Sequence, residues 1–130
     1  MSEKAMKFDD GKIPLEFLEL SGIEDMCKAF QFGAKKYSKG NYKQGMEATR
    51  LTAAAMRHIL QWQMGVDMDD ESGISHLGHA MACLSMISTI MSLGTLIDDR
   101  GPLEAEVETV TGFDAELFRN DLQGIFSVRD

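Results

Sequence analysis

The sequence predicts an all-α fold, a helical bundle of about four to five helices that assembles as an oligomer. Three observations predict it. Apolar residues recur at three- and four-residue steps over long stretches, turn chemistry falls between those stretches, and no alternating polar–apolar run is long enough to read as a strand. At 130 residues, 44% hydrophobic and 26% charged, the chain suits a domain with one buried core.

Turns are expected at DDGK (9–12, with Pro14 behind it), SKGN (38–41), GVDMDDESG (65–73), DDRGP (98–102) and TG (111–112). Between the first two, residues 15–36 place Leu15, Leu18, Ile23, Met26, Phe30 and Ala34 at helical spacing. Residues 46–64 do the same with Leu51, Ala54, Ala55, His58, Ile59 and Trp62. The third helix, about 71–97, is apolar around most of its circumference, which puts it at the centre of the bundle or in a subunit interface. Ala53, Ala54 and Ala55 on one helix and Gly78, Ala80 and Ala82 on the next favour close contact. Asp70 or Ser72 is the expected cap of the third helix. Its uncharged run, 77–97, has about the length of a membrane span. His79, five Ser/Thr positions, acids on both flanks and the lack of a neighbouring lysine cluster favour a buried bundle helix instead. The reading divides the chain into a helical domain, residues 1–98, and an acidic extension, residues 99–130. In the extension Asp114 caps a short helix whose apolar side is Leu117, Phe118, Leu122 and Phe126.

A net charge of -8 argues against a general binder of nucleic-acid polymers or membrane surfaces. The charge is also segregated. Residues 34–65 carry Lys35, Lys36, Lys39, Lys43, Arg50 and Arg57 against the single acid Glu47, whereas residues 66–130 carry thirteen acids against three bases. That polarity suits a small anion held by cations on one side and by acid-bound metal on the other. Cys27 and Cys83 lie far apart and the opening MSEKAMKFDDGK holds no apolar signal segment, so the expectation is free thiols in a cytoplasmic protein.

Two segments carry chemistry. In DDESGISHLGHA, residues 69–80, His76 and His79 are three apart and share a helix face that Cys83 extends, and a hairpin through 65–70 brings His58 toward His76. All three histidines and Asp67, Asp69, Asp70 and Glu71 fall within 22 residues. Oxygen ligands in that set favour Mg²⁺ or Mn²⁺; a His-His-Cys set favours Zn²⁺, but the spacing matches no standard zinc signature. In FGAKKYSKGNYKQG, residues 32–45, Lys35 and Lys36 can neutralise phosphates, Tyr37 or Tyr42 can stack on a nucleobase, and Asn41 can hydrogen-bond a base edge or sugar hydroxyl. A Walker-type phosphate loop, a dinucleotide fingerprint and a serine or cysteine triad are all missing from the sequence.

Three blocks in order, KFDDGKIPLEFL, FGAKKYSKGNYKQG and RHILQWQMGVDMDDESGISHLGHA, resemble the phage-encoded dATP/dGTP diphosphohydrolase family, which is similar to the all-α MazG-like nucleotide pyrophosphohydrolases. The likeness covers about residues 6–90; the chain after Asp98 has no counterpart in it. It implies a helical, metal-dependent enzyme that cleaves a purine deoxynucleoside triphosphate to the monophosphate and pyrophosphate. MazG-like enzymes hold Mg²⁺ with an E-x-x-E pair and an E-x-x-D pair. Here Arg57, His58 and Gln61 stand where the first pair is expected, the second falls on His76 and His79 or on Glu71, and Val66 replaces a glutamate of the family.

Combined, the charge polarity and the resemblance assign Asp69, Glu71, His76 and His79 to Mg²⁺ or Mn²⁺ and His58 to base or ligand duty, with Glu71 also catalytic. Lys35, Lys36 and Arg57 steady the phosphates, while Tyr37 and Asn41 read the base or sugar. The expected partner is a purine nucleotide, with no nucleic-acid polymer and no membrane, and the expected assembly a homodimer or homotetramer. The alternative is a non-catalytic nucleotide-binding phage protein, a sponge that sequesters a signalling nucleotide: the missing glutamate pair and the retained lysines fit it. A purely structural helical oligomer predicts no nucleotide binding at all.

Overall fold

A short helix is stable only where it buries a face, and among the described residues three segments do so. A computed structural model describes residues 3–101. Within them lie α1 (Leu20–Lys36), α2 (Ala48–Gln63) and α3 (His76–Leu93), two 3-10 turns at Leu15–Phe17 and Asn41–Gln44, and two short strands, β1 (Met46–Glu47) and β2 (Leu96–Ile97). The expected helix in the extension and its cap at Asp114 lie outside the described residues.

The expected boundaries move for physical reasons. Residues 15–36 do not form one helix: after the 3-10 turn, Leu18 and Glu19 are extended and α1 begins at Leu20. Leu15, Phe17 and Leu18 are all more than half exposed, so a helix there would lack the burial that sustains it. Lys35 and Lys36 then end α1, where cations favour the helix dipole. The second helix gives up Met46 and Glu47 to β1, which pairs in parallel with β2, Met46 opposite Leu96 and Glu47 opposite Ile97. Strands of two residues leave no alternation to detect. The third helix starts at His76 rather than near 71, and its cap is Ser75, whose Oγ accepts from Leu77 N at 3.2 Å.

The ladder has a second clasp beside it. Glu47 gives α2 no side-chain cap. Asp99, just past β2, supplies one instead: its Oδ1 accepts from Thr49 N at 2.9 Å and its Oδ2 from Thr49 Oγ1.

α3 lies between α1 and α2 and packs on both. The core is built from small residues, Ala29, Ala48, Ala55, Ala80, Ala82 and Cys83, with Leu51 and the fully covered Ile90 as its larger members. Small side chains allow near-contact of backbones. A Cβ on Gly78 would stand 2.6 Å from the carbonyl oxygen of Asp25, so α1 crosses α3 on a glycine. By length and composition α3 also passes for a membrane span. Here two of its faces meet the neighbouring helices, while Leu77, Leu84 and Met91, seven residues apart, remain exposed.

Gly78→Ala tests the crossing. Alanine gains about 1 kcal/mol of helix propensity, but overpacking against backbone costs about 1–3 kcal/mol, so the variant melts at a lower temperature. Gly22→Ala on α1, where a Cβ meets nothing within 4 Å, gains the propensity alone and melts higher. A melting temperature for Gly78→Ala above that of the native chain would exclude the close crossing.

Candidate functional site

The connection between α2 and α3 closes on itself. Asp69 N donates to Ile74 O and Gly73 N to Asp69 O, both at 2.8 Å, and His76 N donates to Asp67 O at 2.9 Å. Inside this turn Asp69 Oδ2 accepts from Ser72 N at 2.9 Å and from Ser72 Oγ at 2.8 Å. The acidic stretch is therefore a folded turn that aims one carboxylate, and it is Ser75 that caps the helix.

The three histidines meet there. His58 Nδ1 and His76 Nδ1 are 2.8 Å apart, and the His58 ring stacks on His79 with centroids 4.7 Å apart and planes at 12°. His76 is buried. His79 Nε2 lies 2.6 Å from Ser72 Oγ and 3.7 Å from Asp69 Oδ2. The tautomer follows from counting hydrogens. Ser72 Oγ gives its one proton to the carboxylate and accepts from Ile74 N at 3.2 Å, so the His79 contact requires His79 Nε2–H to donate. His58, Asp69 and His76 offer ligand atoms that all lie within 4.8 Å of one another. This set of two nitrogens and one carboxylate fits a divalent ion chemically.

Burial lowers the pKa of His58, helped by the neighbouring His79 and His76. Burial also lowers that of His79, outweighing the opposing pull of Asp69. For Asp69, burial pushes upward, but the hydrogen bonds from Ser72 and the nearby His79 and His58 prevail and hold the carboxyl below its usual range. Burial raises the Cys83 thiol, and Cys83 is not in the metal-competent group.

His58, Asp69, Glu71 and His79 line an open groove of about 830 Å³ between the helices, a size typical of small-molecule sites. Arg50, Arg57 and Lys36 line it as cations, and Phe30, Tyr37 and Tyr42 as aromatic rings, with Asn41 beside them. Phe30 and Tyr42 pack at 6.0 Å. The groove thus gathers most residues singled out in the sequence, though not as independent groups. Lys36 Nζ is 2.7 Å from Glu71 Oε1, which raises the lysine pKa, and Glu71 stands outside the His58–Asp69–His76 group. Lys35 is exposed and does not line the groove, nor does Val66. Ser72 and Arg50 are the additions. Ser72, three residues beyond Asp69, carries the signature of a side-chain-closed turn; Arg50 had no signal beyond its basic segment.

Residues 2–100 match the family model described as dATP/dGTP diphosphohydrolase, N-terminal. A protein of Salmonella phage PMBT28 named dATP/dGTP diphosphohydrolase is 35% identical over 95 residues, 73% of this chain and 32% of the relative, so the chain spans about a third of that relative's length. No solved structure matches the chain.

Because His58, His76 and His79 are the chain's three histidines, histidine-linked stability reports on this cluster alone. For His58 and His79 the folded pKa lies below the ordinary imidazole value of 6.5. The unfolded chain takes up protons first, so stability is fully present above that value and is lost as the pH falls through the lowered folded values. Melting temperatures of chelator-treated protein are expected to fall from about pH 8 to about pH 5, and His58→Gln to flatten the fall. A flat native profile would contradict the buried, neutral rings.

Proposed function

The chain belongs to the dATP/dGTP diphosphohydrolase family, and from that membership we propose that it hydrolyses a purine deoxynucleoside triphosphate, dGTP or dATP, to the monophosphate and pyrophosphate. The observation that carries the reading is one groove lined by a carboxylate–imidazole cluster, three cations and several aromatic rings. A triphosphate needs the first two, and a purine the third.

In this reading Arg50 and Arg57 neutralise the phosphates. Lys36 is held by Glu71, so an arriving phosphate competes for the ammonium and frees the Glu71 carboxylate. Freed, Glu71 is placed to take the proton of the attacking water. The water oxygen forms its bond to the α-phosphorus as the bond to the bridging oxygen breaks, and the electron pair leaves with pyrophosphate. A divalent ion held among His58, Asp69 and His76 would supply charge neutralisation and a more acidic water. His58, kept neutral by burial, offers a lone pair as base or ligand. Tyr37 or Tyr42 stacks on the base and Asn41 bonds its edge or the sugar. The exposed Leu77, Leu84 and Met91 of α3 support assembly as a homodimer or homotetramer.

Purified protein incubated with each dNTP, with Mg²⁺ or Mn²⁺ and with chelator, is expected to release monophosphate and pyrophosphate from dGTP or dATP only when metal is present. Glu71→Gln is expected to lower kcat by about a hundredfold or more. Nucleotide bound but intact under every condition would instead make the protein a nucleotide-sequestering binder.

A further inference from the structure

We propose that His58 Nδ1, His76 Nδ1 and the Asp69 carboxylate form a preformed site for a borderline transition ion of the Mn²⁺, Co²⁺ or Zn²⁺ class, and that this site fills without nucleotide. The role of that ion in hydrolysis rests on the reading above; its binding does not.

The donors come from three separate places, the middle of α2, the connecting turn and the first residue of α3, which the hairpin between the two helices brings together. Two neutral imidazoles facing each other Nδ1 to Nδ1 share one hydrogen at most, and a cation between them uses both lone pairs. Neighbouring nitrogens on an ion with bonds of about 2.1 Å stand about 3 Å apart at octahedral angles and about 3.4 Å apart at tetrahedral ones. The 2.8 Å separation of these nitrogens needs only a slight opening. Asp69 is aimed in advance: Ser72 occupies its Oδ2, and Oδ1 takes no part in that turn.

Support around the donors is also in place. His79 donates through Nε2 to Ser72 Oγ, which donates to Asp69, and the His79 ring lies flat against His58. His79 is thus a positioning residue that fixes one ligand through a serine and another by stacking, the kind of outer support on which metal affinity depends. Glu71 is taken up by Lys36, so the set is nitrogen-rich. Mg²⁺ prefers oxygen and gives up water reluctantly, whereas imidazole suits the later divalent ions. Three protein ligands leave coordination positions open, and His58 and Asp69 line the groove, so the open side faces a substrate.

The test uses tag-free, chelator-treated protein without nucleotide, titrated with Co²⁺ and followed by its visible absorption, with Zn²⁺, Mn²⁺ and Mg²⁺ as competitors. One equivalent should bind, with affinity rising from Mn²⁺ to Co²⁺ to Zn²⁺ and no displacement by Mg²⁺ in about hundredfold excess. Asp69→Asn and His58→Gln, each checked for native helicity, should weaken Co²⁺ by about tenfold or more. Glu71→Gln should leave its affinity and spectrum unchanged. Histidine ¹⁵N signals provide a readout that needs no variant: diamagnetic Zn²⁺ should shift the Nδ1 signals of His58 and His76 as ligands and leave His79 Nε2 protonated. Preference for Mg²⁺, binding abolished by Glu71→Gln, or binding undiminished in both folded ligand variants would overturn the site. Hydrolysis of dGTP by protein that binds no Co²⁺ would sink this proposal alone, and Co²⁺ binding without hydrolysis of any nucleotide would sink the functional reading alone.

Discussion

Asp69 accepts two hydrogen bonds from a serine three residues ahead, and the backbone around it closes through three more, from Asp69 to Ile74, from Gly73 to Asp69 and from His76 to Asp67. The groove depends on that closure. It sets where α3 begins, and so which residues of α3 point at α2. It also holds one carboxylate in a fixed attitude toward two imidazoles, at the cost of desolvation that the Ser72 hydrogen bonds offset. With a looser turn, His76 and His79 would still share a helix face but would have no fixed relation to His58.

The packing that receives this turn is thin in a particular way. Its core is dominated by alanines and crossed at a glycine, so the helices approach closely and enclose little apolar volume. Much of the large apolar surface, Met56 and Leu60 on α2 and Leu84 and Met91 on α3, stays on the outside. Ala48 and Ala55 on α2 and Ala80 and Ala82 on α3 let these two helices lie close, which suits the meeting of His58 and His76.

What could be read in advance follows from how local each signal is. The helices of α2 and α3, the shared face of His76 and His79 and the approach of His58 were legible, because each needs only helical periodicity and a hairpin turn. The cap was not: DDESGIS offers several residues able to cap, and the choice of Ser75 depends on which carbonyls the turn closes. The Lys36–Glu71 pair joins positions 35 residues apart, so Lys36 read as a free phosphate ligand when its ammonium already has a partner. Lys35, its neighbour, projects elsewhere because adjacent residues on a helix are turned about 100° from each other. The β1–β2 pairing was invisible for the same reason of distance along the chain, with only two residues in each strand.

That small ladder changes the mechanics of the molecule. The turn ties α2 to α3 at one end, and the ladder with Asp99 on Thr49 ties them at the other. The two helices therefore form a closed frame in which neither can slide along its neighbour without breaking a joint. α1 enters this frame from outside, through residues 38–45, where Gly40 and Gly45 carry positive φ. Shear between the frame helices is opposed at both ends, whereas α1, which carries Lys36 and Phe30, is held by its packing on α3 and by the Lys36–Glu71 pair. The groove is thus lined by one helix outside the frame and by the frame that carries the histidine and aspartate donors.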